Sequence, residues 1–105
     1  MGESEPKQEL TKIDIVDYDQ VKDTIMVSFL NRLGKQKSVW LHTTTFKKIV
    51  IGWNVNEWGE MTLDQRELRE TLLKEMPSTD KTLAWLESKI HELMYRRTIG
   101  GGIRR

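Results

Sequence analysis

The stretch FKKIVIGWNV, residues 46–55, decides how many strands the fold contains. Read with a period of two, it places Ile49, Ile51, Trp53 and Val55 on one face and Lys48, Val50, Gly52 and Asn54 on the other, the pattern of a half-buried strand. Gly52 inside such a strand marks a bulge or a close backbone approach. The competing reading makes Thr43 a cap before a short helix ending at Ile51. Thr44, Thr45, Ile49, Val50 and Ile51 are poor helix formers, because branching at Cβ restricts χ1 against the preceding turn, so the strand reading is preferred.

Toward the N-terminus the same period recurs. From Thr11, Ile13 and Ile15 alternate with Lys12 and Asp14, which reads as a first strand. Asp17 to Gln20 is polar and turn-like, and Val21 to Leu30 forms a second strand with Ile25, Val27 and Phe29 on one face. Asn31 to Lys35 carries the next turn, with Gly34 able to adopt positive φ. A third strand covers about Lys37 to Thr43.

Toward the C-terminus the period changes. Asn56 to Glu60 is a loop, and Thr62 with Gln65 three residues on has the form of a capping box. Leu68, Leu72 and Met76 recur at fours until Pro77 biases Met76 away from helical dihedrals, which bounds a helix at 63–75. Ser78, Thr79 and Asp80 are caps for a second helix, 79–97. Its Leu83, Leu86, Ile90, Leu93 and Met94 fall within an arc of about 100°. The expected fold is therefore α+β: about four antiparallel strands over 11–55 followed by two helices, 63–75 and 79–97, packed on the sheet. Residues 1–10 read as a flexible lead, 11–97 as one domain and 98–105 as a flexible basic tail that starts where Gly100 to Gly102 dissolve the helix.

Composition excludes several functions. With no cysteine among 105 residues there is no disulfide framework, thiolate metal site or cysteine nucleophile. The polar start and the lack of any apolar run of membrane-spanning length point to an intracellular, cytoplasmic protein with no membrane partner.

A net charge of +1 conceals four bands. Residues 1–24 hold seven acids and three bases, whereas 31–48 hold Arg32, Lys35, Lys37, Lys47 and Lys48 and no acid. Residues 49–88 hold eight acids and four bases, and 89–105 five bases and one acid. Such segregation either builds a basic patch that steers an anionic partner or lets the acidic bands fold against the basic ones.

Catalytic motifs are incomplete. His91-Glu92-Leu93-Met94-Tyr95 approaches the zinc motif His-Glu-x-x-His, but the second histidine is a tyrosine. Carboxylate pairs such as Asp17 with Asp19, or Glu67 with Glu70, sit beside no evident pocket. The glycine triplet lacks the lysine and hydroxyl residue of a phosphate loop. No enzyme, metal or cofactor is expected.

Two binding functions remain. In the first, RNA or single-stranded DNA lies on a basic-aromatic sheet region of Arg32, Lys35, Lys37, Trp40, His42, Phe46 and Lys48, with Arg96 and Arg97 as a clamp, since flat rings stack on bases while cations neutralise phosphate. The bland alternative is that a helix covers this face and Trp40 is core. In the second, the chain is a protein-interaction or regulatory module, with a protein partner or a second copy engaging Trp85 and Tyr95. Trp85 lies about 130° from the centre of the apolar arc and should be exposed among charges, unless it packs on a neighbouring element.

Overall fold

The computed structural model describes residues 12–103, with side chains as far as Arg96. Three antiparallel strands, β1 (Ile13–Asp19), β2 (Thr24–Leu30) and β3 (Gln36–His42), form a meander in the order β1-β2-β3. Four helices follow: α1 (Thr43–Ile51), α2 (Val55–Trp58), α3 (Leu63–Glu75) and α4 (Thr79–Ile103). The class is α+β as expected, but the described residues hold three strands rather than four and four helices rather than two.

Both hairpin turns are built by acid or amide side chains that accept backbone N–H groups. Asp19 Oδ1 accepts from Val21 and Lys22, and Asp23 closes the first turn with φ of 56°. The turn thus lies beyond Asp19, later than the expected 17–20. In the second, Asn31 Oδ1 accepts from Leu33 at 3.0 Å and Lys35 at 2.9 Å, and Gly34 takes φ of 79°. A bulge at Val16 shifts the β1–β2 register between Ile15 and Asp17, so Ile13, Ile15 and Tyr18 all face inward.

The decisive stretch is helical from Thr43 to Ile51. Helical spacing buries Phe46 and Ile49 together and leaves Ile51 and Val55 exposed, which the strand reading would have put beside Ile49. A β-branched residue costs a helix a few tenths of a kcal/mol, whereas burying a Phe or Ile side chain contributes roughly 1.5–3 kcal/mol each. Burial wins. The first turn is anchored to the β1–β2 turn: Thr43 donates its N–H to the Asp23 carbonyl at 3.0 Å and its hydroxyl to Asp23 Oδ2 at 2.7 Å. Gly52 is no strand bulge; it caps α1, its N–H donating to the Lys48 carbonyl.

α3 begins at the expected capping box, with Gln65 N–H donating to Thr62 Oγ1 and Thr62 N–H to Gln65 Oε1, and it ends before Pro77. α4 begins as expected but continues to Ile103, because each glycine weakens a helix by about 1 kcal/mol yet keeps the N–H that continues the ladder. The expected lead, 1–10, and the last two residues of the expected tail lie outside the described residues.

One sheet face, carrying Ile13, Ile15, Ile25, Val27, Phe29 and Leu41, packs against Phe46, Ile49, Leu68, Leu72 and Leu86 of the helices. The other face is uncovered among the described residues. No helix among them is long and apolar enough to cross a membrane.

Candidate functional site

The ladder positions fix what each side of the sheet presents. Asn31 N–H donates to the Lys35 carbonyl and Thr43 N–H to the Asp23 carbonyl, so odd-numbered residues of β2 and β3 bond each other across the pair. Lys37, Val39 and Leu41 therefore point their backbones at β2 and their side chains at the core. Ser38 and Trp40 point their backbones outward from the sheet edge and their side chains onto the open face. Trp40 stands opposite Met26, and His42 opposite Thr24; Trp40 is 48% exposed. Trp40 is thus on the uncovered face, not in the core.

The expected basic-aromatic region does not converge. Lys37 is on the helix side, where its Nζ meets Asp64 Oδ1 at 2.9 Å and Glu67 Oε1 at 3.0 Å. Hydrogen bonds to Asp64 and then Glu67 raise its pKa against a smaller opposing effect of burial. Phe46 is fully buried and has no ring face to offer a base. Lys48 sits over the Trp58 ring, 4.6 Å from its centroid, and Trp58 in turn meets Trp53 edge-on. Arg32 pairs with Glu70 at 3.8 Å and Lys47 with Glu87 at 3.7 Å, while Lys35 is exposed at the turn. The acids that meet Arg32, Lys37 and Lys47 all belong to the 49–88 band, so two of the four charge bands fold against each other. Arg96 pairs with Glu92 at 2.6 Å, and the Arg97 side chain lies outside the described residues.

On the open face the charged side chains in line with Trp40 and His42, one strand beyond Met26 and Thr24, are acidic rather than basic. Rows run Asp17–Met26–Trp40 and Asp19–Thr24–His42 across the three strands. A phosphate backbone laid over these rings would meet two carboxylates at the β1 side.

Trp85 is half-buried rather than exposed, its ring centroid 6.5 Å from that of Phe46 with planes tilted by 44°. The wheel supposed one neighbour for α4. The helix instead touches both β1 and α1, which widens its buried arc. Tyr95 is 71% exposed.

Between the β2–β3 turn and α3 lies an open cleft of about 360 Å³, lined among others by Lys12, Asn31, Arg32, Glu70, Lys74 and Glu75. Its bases alternate with acids, and Arg32 is already engaged with Glu70. Among the described residues no group of three or more His, Asp or Glu is placed to hold a metal ion.

Sequence reading missed the outer edge of β3. A signal existed in the contrast between the two edge strands, with three aspartates in IDIVDYD and a single lysine in QKSVWLH. Comparison of the chain with protein-family models, curated proteins and solved structures returns no match.

Proposed function

We propose that the chain is a small protein-interaction module that engages its partner through the open sheet face and the adjoining edge of β3. The observation that carries this reading is the exposed Trp40, set beside Met26 on a sheet surface that no described element covers and next to strand backbone with no partner among the described residues. Large aromatic side chains anchor protein interfaces because they bury much area at little cost in side-chain entropy. The role first sought at Trp85 passes to Trp40, since Trp85 is held against Phe46. The test is Trp40→Ser in the full chain. Its stability should change by less than about 1 kcal/mol. A partner held by the immobilised wild-type protein, whether a second copy or a foreign chain, should bind at least about tenfold more weakly. Equal retention by variant and wild type removes the reading.

RNA or single-stranded DNA binding is the second reading, and one observation favours it: Trp40 and His42 lie side by side on an open sheet surface, where bases could stack. The ion pairs of Arg32, Lys37 and Lys47 and the aspartates at the β1 side weigh against it. A labelled single-stranded oligonucleotide at low salt separates the two readings.

A further inference from the structure

The two edges of the sheet are treated differently by the sequence. At β1, the outward N–H groups of Ile15 and Tyr18 already donate to Asp14 Oδ1 at 2.9 Å and Asp17 Oδ1 at 2.8 Å. Lys89 of α4 also reaches Asp14 at 3.0 Å, closing that edge with a side chain. Side-chain capping and charge of this kind block strand addition.

β3 has none of these defences. It is seven residues long, pairs with β2 in unbroken register and contains no proline. Its only charged side chain, Lys37, is turned to the helix side and neutralised by Asp64 and Glu67. Among the described residues nothing bonds to the outward backbone groups of Ser38 and Trp40. A long, uncharged and regular edge is a template for another strand.

We infer that β3 pairs with β3 of a second copy, antiparallel about a two-fold axis at Val39, to make a six-stranded sheet. This rests on the interaction reading above and names the partner of the same surface. The choice of a second copy follows from the edges themselves. Adding β3 to β1 of the next molecule would propagate without closing, and the blocked β1 edge forbids it, whereas β3 against β3 is self-complementary and closes after two copies. The strand also carries no free charge to repel its own image. In this register the outward backbone groups of Ser38 bond those of the partner copy's Trp40, and the reverse. Each Trp40 indole then lies on the open face beside a small serine rather than another bulky ring. The contact is small, which places its affinity in the micromolar range.

The test is sedimentation of the full chain over a concentration range from about 1 to about 500 μM, for wild type and Ser38→Pro. Proline at an outward edge position removes a donor to the partner and no bond to β2. Wild type should approach twice the chain mass, and Ser38→Pro should raise the dissociation constant at least about 100-fold while its circular dichroism is unchanged. Should the proline disturb folding, Ser38→Lys keeps the backbone donor and places two like charges near each other at the pairing, and it should weaken association in the same direction. A dimer that survives both substitutions, or masses that grow without limit, overturns the β3 pairing. A wild type that stays monomeric throughout overturns it as well. In that case, a foreign partner lost on Trp40→Ser would leave the broader interaction reading standing, and a partner unaffected by that variant would remove both.

Discussion

Trp85 and Phe46 meet with ring centroids 6.5 Å apart, and this contact joins α4 to α1 across the helical layer. It accounts for two departures from the sequence reading at once. Phe46 can be reached from α4 only because residues 43–51 coil into a helix, and Trp85 is held there instead of standing free. Phe46→Ala should therefore cost about 3–5 kcal/mol in urea unfolding, and Trp85→Ala, at a half-buried site, about 2 kcal/mol. A free surface tryptophan would show almost no loss.

Asp23 ties three segments together. Its carboxylate accepts the Thr43 hydroxyl at 2.7 Å and the Tyr18 hydroxyl at 3.0 Å, and its carbonyl accepts the Thr43 N–H. Thr43→Val keeps the shape and leaves a carboxylate oxygen short of one donor, so it should lower unfolding stability by about 1–2 kcal/mol. Double-mutant analysis with Asp23→Asn should show the two changes to be less than additive.

Lys37 carries a raised pKa through Asp64 and Glu67, and Tyr18 a raised pKa through burial and the Asp23 contact. A group whose folded pKa lies above its unfolded value adds stability below the unfolded value and loses it as pH rises through the folded one. Stability should thus hold below about pH 10, near the free tyrosine and lysine values, and decline above it. Lys37→Met should flatten part of that decline in thermal melts taken across alkaline pH, and a melt profile unchanged by the substitution would contradict the assignment.

Three of the five bases of the basic band, Arg32, Lys37 and Lys47, are engaged with carboxylates, so a labelled single-stranded oligonucleotide should not shift at low salt, where phosphate contacts are strongest. Binding that is abolished by Trp40→Ala and falls steeply with added salt would reverse the order of the two functional readings.

Local signals were readable where one residue type does one job. The capping box at Thr62 and Gln65, the stop at Pro77 and the turn at Asn31 to Gly34 each depend on neighbours within four residues. Residues 43–51 were not readable in this way. Over so short a stretch periods of two and 3.6 both sort the apolar side chains plausibly, and the choice rests on Phe46 and Ile49 entering a core shared with Leu68, Leu72 and Leu86. The site failed for a similar reason. The charge of Lys37 is plain in the sequence, but its partner Asp64 is 27 residues away, and only the packing of α3 on the sheet brings them together. The alternation of β3 sets Trp40 apart from Leu41, but whether its face is covered, leaving Trp40 core, or open is a property of the helices and is not written in the strand.

Amide hydrogen exchange at Ser38 and Trp40 tests the central claim most directly, because their N–H groups point out of the β3 edge and have no partner within the described chain. The account predicts that exchange at these two amides slows as protein concentration rises and returns on dilution, while Val39 and Leu41, bonded to β2, stay protected throughout. Exchange at Ser38 and Trp40 that is rapid and independent of concentration would contradict it.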